Sequence, residues 1–379
     1  MTHSYNRLQA LEQGHWFKLI CGASFQHLPA VRNLALVYAL AGADCIDVAA
    51  DPAVIATAKE GLKIAQDLNP LSQKWGFNQN QTTPFLMVSL NDGEDPHFRK
   101  AEFDPNSCPP NCDRPCEKIC PAQAIIFNNK QKQGFSNNQA EKFSGVISKK
   151  CYGCGRCLPV CPYEIICTSS YVSTPGVIAP LILSSGVDAI EIHTQIGRLS
   201  EFKRLWNGIS PWVGQLKLVA ISCPDGEGVI EYLKSLYAAI SPLPCGLVWQ
   251  TDGRPMSGDI GKGTTMAAVK FGQKVLAAQL PGYVQLAGGT NSYTVAKLEA
   301  MGLLHDRFKK NPHSYIAGIA YGSYARVLLS PILEELENKE VNVTRVSTKN
   351  QLETEPELLW QAVSLAHSLV SQVKLQQHS

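Results

Sequence analysis

The sequence lacks an apolar run long enough to cross a bilayer. Its longest, Leu34 to Ala43, falls well short of the ~18–20 residues a spanning helix needs. It also lacks an excess of either charge: 34 basic residues stand against 32 acidic ones, a net +2. That balance gives no footprint for nucleic acid or for an anionic membrane surface. Met1 to Gln9 has no basic region followed by an apolar stretch, so no secretory signal is read there. Charged residues make up only 17% and hydrophobic ones 45%, which excludes a disordered chain. The expectation is a soluble, cytoplasmic, globular protein with no membrane span and no nucleic-acid partner.

Cysteine is abundant. The 379 residues include 13, and eight of them fall between Cys108 and Cys161. A disulfide framework does not suit a large chain without an export signal, so clustered cysteines read as metal ligands. Cys151, Cys154, Cys157 and Cys161 form C-x₂-C-x₂-C-x₃-C, followed by Pro162. Three thiolates from one tight loop, opened by Gly153 and Gly155, can reach three corners of an iron–sulfur cubane. A zinc site is the plainer alternative, but zinc ligands usually come as separated C-x₂-C pairs. Cys108, Cys112, Cys116 and Cys120 form a looser run, C-x₃-C-x₃-C-x₃-C, before Pro121. Ala124-Ile125-Ile126 after it parallels Ile165-Ile166 after Cys161, and Val146-Ile147 supplies a strand to pair with Ile125-Ile126-Phe127. Cluster loop, Cys-Pro and short strand thus occur twice.

Outside this segment, apolar runs alternate with helical periodicity. The strand runs are Phe17–Gly22, Cys45–Ala49, Phe85–Leu90, Ala189–His193, Leu216–Ile221, Gly246–Gln250, Tyr283–Ala287 and Tyr315–Ile319. Each precedes a helical pattern, the third only after the cysteine insertion. Near-continuous apolar strands are buried on both faces. Eight such units predict an α/β fold, a TIM-like (β/α)₈ barrel, with an open doubly wound sheet as the alternative. The predicted division is residues 1–102 for the first three barrel strands and 103–170 for the iron–sulfur insertion. Residues 171–340 complete the barrel, and 341–379 form a polar linker and a helix over Glu355–Lys374. Residues 338–351 read as loop, and a further helix is expected over 177–185. The other cysteines, Cys21, Cys45, Cys167, Cys223 and Cys245, read as core thiols.

The insertion follows the third strand, so it should sit at the C-terminal mouth of the barrel, where barrel ligands bind. Asp47, Glu191, His193, Ser222, Asp225, Gln250, Asp252 and Arg254 lie near strand ends, without a diagnostic spacing. His193 is the best single acid–base candidate. No catalytic residue is assigned. Gly288 and Gly289 follow the seventh strand, and Gly322 and Ser323 the eighth, where barrels often hold phosphate. They are the candidates for a phosphate-bearing ligand or flavin. Residues 257–264 are glycine-rich, but Lys262 is followed by Gly263, so they do not make a Walker loop.

Residues 103–170 resemble the two-cluster bacterial ferredoxin domain. The resemblance implies two [4Fe–4S] clusters, one on Cys108, Cys112, Cys116 and Cys161, the other on Cys151, Cys154, Cys157 and Cys120. The whole arrangement resembles the cyanobacterial light-dependent-period family, LdpA. Phe17 through Ser24, Ala43 through Pro52 and Cys108 through Pro162 carry that resemblance. It implies an iron–sulfur redox sensor rather than an enzyme, relaying photosynthetic redox state to the circadian clock input pathway. The implied partners are electron donors and acceptors, the input histidine kinase and Kai proteins. An iron–sulfur oxidoreductase, passing electrons to a ligand at the barrel mouth, is the alternative.

Overall fold

The computed structural model of the chain describes residues 7–22, 27–77, 83–93, 99–120, 124–127, 144–147, 157–170, 182–253, 265–305, 311–342 and 351–374. Its first three strands are β1 (Trp16–Gly22), β2 (Cys45–Ala49) and β3 (Phe85–Asn91). The cysteine segment follows, with β4 (Arg99–Glu102), β5 (Ile125–Ile126), β6 (Gly145–Val146) and β7 (Cys167–Ser170). The barrel resumes with β8 (Ala189–His193), β9 (Leu218–Pro224), β10 (Gly246–Asp252), β11 (Tyr283–Ala287) and β12 (Gly318–Tyr321). These eight barrel strands are parallel, and the sheet closes where β12 pairs with β1, Trp16 opposite Gly318. Closure decides between the two α/β alternatives that periodicity left open.

Alternation along each strand sorts the side chains. Phe17, Leu19, Ile46, Val48, Ile190 and Ile192 face outward into the layer between barrel and helices. Trp16, Cys45, Phe85, Met87, Leu218 and Val248 face inward and fill the lower half of the barrel. The helix Pro52–Leu68 shows how local sequence sets an element. Pro52 fits its first turn, and the Asp51 carboxylate accepts from the Ala53 N–H at 2.9 Å. The helix Leu28–Ala41 ends at Gly42, which is left-handed at φ 97°.

The helix Pro356–Lys374 packs on the helix Leu28–Ala41 and on the helix Ser323–Asn342, next to the seam where β12 meets β1. Leu359, Val363, Ala366 and Val370 are buried there. The helix Leu28–Ala41 is therefore buried almost all round, as its sequence, apolar on every face, requires. Residues 338–342, expected as loop, continue the helix Ser323–Asn342. Of the expected helix over 177–185, only 182–185 lie within the described residues. Among the described residues no helix is long and apolar enough to cross a membrane.

Candidate functional site

In the cysteine segment, β4 pairs antiparallel with β7, and β5 with β6, Ile125 opposite Val146. Two short helices, Pro115–Ile119 and Cys157–Val160, pack against each other and carry Cys116 and Cys157. Cys116, Cys157 and Cys161 are buried with Ile125 and Ile166, and Cys120 packs against them. Burial pushes the Cys116 thiol up, and Cys161, Cys108 and Cys112 add to the shift. Burial likewise raises Cys108, with Cys112 and Cys161 beside it. Cys161, the fourth cysteine of the second run, is therefore close to Cys108 and Cys116 of the first run. Cys151 and Cys154 lie outside the described residues.

The donor set fits an iron–sulfur cluster. The described cysteines are free thiols. Backbone N–H groups point at sulfur, Arg114 to Cys112 Sγ at 3.4 Å and Ala124 to Cys120 Sγ at 3.2 Å. Such hydrogen bonds stabilise charge on cluster thiolates. Neighbouring thiols in an apolar pocket are the donors such a cluster takes. Beside them, the Arg114 guanidinium lies 4.4 Å from the Phe127 ring centre. Of the remaining cysteines, Cys21, Cys45 and Cys223 are buried as expected, and Cys245 is half-buried. Cys167 is exposed, because it lies on a two-stranded sheet rather than in the core.

The segment leaves from the barrel mouth. At the end of β3, the Asp92 N–H donates to the His193 carbonyl at 3.2 Å. The Asp92 carboxylate accepts from the Thr194 hydroxyl and faces Arg198 at 3.6 Å. Lys100 of β4 interacts with Asp51, just beyond the C-terminal end of β2.

The upper half of the barrel interior is polar. Lys18 Nζ is bonded to the Glu191 carboxylate, lies 3.0 Å from Asp47 Oδ2, and donates to Gln250 Oε1 at 3.0 Å. Gln250 Nε2 donates to Glu191 Oε1 at 2.6 Å, and Gln285 Nε2 donates to Gln250 Oε1 at 2.7 Å. Ser89 donates to Asp47 Oδ1 at 2.9 Å, and Ser222 donates to Asp252. His193 Nε2 lies 3.0 Å from Glu191 Oε1. Burial alone would neutralise Lys18, but Asp47 and Glu191 outweigh it and hold the ammonium. Burial works against the Glu191 charge too, yet Lys18 and His193 hold its pKa well below the usual carboxylate range. Burial pushes Asp47 up despite Lys18, and pushes Asp252 up to about 6, with Glu191 adding to the rise. Asp47, Glu191, His193, Ser222, Gln250 and Asp252 are thus gathered in one network. Asp225 is instead exposed and paired with Lys274 at 2.8 Å, and Arg254 lies outside the described residues. Lys18, Ser89 and Gln285 escaped the sequence reading. Their signal was polarity inside otherwise apolar strands, at the inward register two residues from Trp16, Met87 and Tyr283.

Gly288 and Gly289 are both left-handed, at φ 66° and 97°. Gly322 precedes Ser323, which opens the helix Ser323–Asn342. Thr290 donates to the Ala320 carbonyl at 2.6 Å and ties the two loops together. Arg326 Nη2 donates to Ser323 Oγ at 3.2 Å, and Nη1 reaches the Ile20 carbonyl at 3.2 Å.

Barrel and thiol centre together define an iron–sulfur-binding α/β-barrel protein. Residues 108–172 match the family model described as the LdpA Fe-S cluster-binding domain. Residues 181–372 match the Light dependent period A C-terminal domain. The chain is 47% identical over 367 residues to Light dependent period A of Synechococcus elongatus (strain ATCC 33912 / PCC 7942 / FACHB-805), covering 97% of this chain and 93% of that protein. The chain belongs to the light dependent period A family.

Proposed function

We propose that the protein is a redox-sensing regulator built on two [4Fe–4S] clusters. Cys108, Cys112, Cys116 and Cys161 would hold one, and Cys151, Cys154, Cys157 and Cys120 the other. The observation that carries this is the closeness of Cys161 to Cys116 and Cys108. A fourth ligand crossing to the other cluster is the habit of the two-cluster run. Bound there, a cluster supplies reversible one-electron chemistry. The Arg114 and Ala124 N–H groups stabilise the thiolates, and Ile125 and Ile166 keep water from them. The redox state of the cell would reach the clock input pathway through contacts with the input histidine kinase and Kai proteins. The setting is the cytoplasm, with soluble electron donors and acceptors. Anaerobic purification with iron and sulfide quantitation and EPR tests the cluster assignment. Eight irons and two reducible signals are expected for two such clusters, and four irons would overturn it. Kinase binding that ignores reduction by dithionite would overturn the sensing role.

A second reading rests on the corner formed by Gly288, Gly289, Gly322 and Ser323. Two left-handed glycines and a helix start there favour a phosphate-bearing ligand such as flavin, which would make the protein an oxidoreductase. A flavin band beside the iron–sulfur absorbance supports it, and its absence after mild purification counts against it.

A further inference from the structure

Neither a redox relay nor a phosphate corner uses the polar interior of the barrel. Burying charges and amides is costly where apolar side chains of similar volume would pack. The lower half of this barrel is filled by such side chains, among them Trp16, Phe85, Met87 and Leu218. The polar groups collect only in the half toward the C-terminal strand ends, where barrels keep their chemistry.

The bonding pattern narrows what that chemistry is. Lys18 donates to Glu191 and Gln250 and is ion-paired with Asp47, and the two carboxylates hold it as ammonium, so it does not serve as an amine nucleophile. Cys45 lies below Asp47 on β2, and burial raises its thiol far from thiolate formation. The Ser222 hydroxyl is engaged with Asp252. Two titratable groups of the network reach toward the opening. His193 has 24% of its side chain exposed and is braced by Glu191, and Asp252 is half-buried on a neighbouring part of the rim. A carboxylate and an imidazole without a nucleophile are equipped for proton transfer. Three carboxylates around one ammonium repel an anionic reacting centre, yet they accept from hydroxyl groups.

We propose that the barrel mouth is a proton-transfer site for a small hydroxycarbonyl compound, with His193 and Asp252 as the acid–base pair. Lys18, Glu191, Asp47 and Gln250 are positioning residues behind them. Asp252 takes the proton from the carbon beside the carbonyl. The electron pair of that C–H bond forms the carbon–carbon double bond of an enediol, while His193 gives a proton to the carbonyl oxygen. Return of both protons restores the compound or yields its isomer. Nothing is oxidised and no co-reactant is consumed. A base with acidity near 6 is matched to such work near neutral pH.

The test is solvent exchange. The anaerobically purified full chain is incubated with dihydroxyacetone in D₂O, and loss of the C–H signal is followed by proton NMR. Faster exchange than in buffer is expected, falling by roughly 10²-fold or more in Asp252→Asn and in His193→Gln. Circular dichroism checks that both variants are folded. Asp252→Glu, which keeps the carboxylate, should retain part of the rate. A native rate equal to buffer overturns the proposal, as does an equal rate in folded Asp252→Asn and His193→Gln.

Discussion

Lys18 and Glu191 are 173 residues apart in the chain, and their side chains meet inside the barrel with no exposure to water. One sits on β1 and the other on β8, the fourth barrel strand, so the pair spans the barrel. Removing Lys18 leaves Asp47 and Glu191 buried without their cation. Lys18→Met should therefore lose about 3–5 kcal/mol of stability in urea denaturation. Adding Glu191→Gln to Lys18→Met should restore part of that loss, because the orphaned charge goes with it. A single variant as stable as the parent would show that the ion pair is not held as described.

That pair also marks where the sequence was legible. Eight apolar runs and their helices implied a barrel because strand burial follows directly from composition and period. The iron–sulfur-binding segment was legible because its cysteines are clustered and spaced as cluster chemistry requires. Lys18 was not, since a single Lys within Phe17-Lys18-Leu19-Ile20 gives no hint of partners on β2, β8 and β10. Its meaning depends on inward register and on closure, which join residues far apart in the chain. The exposure of Cys167 was hidden for a similar reason: the residue lies on a short strand of the insertion, outside the barrel core.

The proposed crossing of ligands predicts paired phenotypes. Cys161→Ser should alter the same EPR signal as Cys108→Ser or Cys116→Ser, because those thiols are neighbours. Cys157→Ser should leave that signal and affect the other one, together with Cys120→Ser. If Cys161→Ser instead shares its phenotype with Cys157→Ser, each run holds its own cluster.

Asp252 gives a dependence on pH with a defined sign. Burial raises its folded pKa to about 6, above the ~3.9 of an unfolded aspartate, so the folded state holds this proton longer. Stability should then fall as pH rises from about 4 to 6, and the penalty should persist above that. Asp252→Asn removes it. The variant should match the parent near pH 4 and exceed it by about 1–3 kcal/mol at pH 7. Urea midpoints at the two pH values check this, and parallel curves for the two proteins would remove Asp252 as the source.

Gly61 lies in the helix Pro52–Leu68, where replacing glycine by alanine ordinarily adds about 1 kcal/mol of stability. Here the sign should reverse. A Cβ at this position would collide with the Arg32 carbonyl oxygen and meet the Ala35 Cβ at 3.3 Å. Both belong to the helix Leu28–Ala41, which is pressed from its other side by the helix Pro356–Lys374 and has little room to retreat. Overpacking of this kind costs about 1–3 kcal/mol, more than the helix propensity returns. Gly61→Ala should therefore lower the melting temperature, whereas Gly61→Ala in a chain lacking residues 351–379 should cost less, since the outer brace is gone. An equal cost in both backgrounds would mean that the tail helix does not hold the pair together.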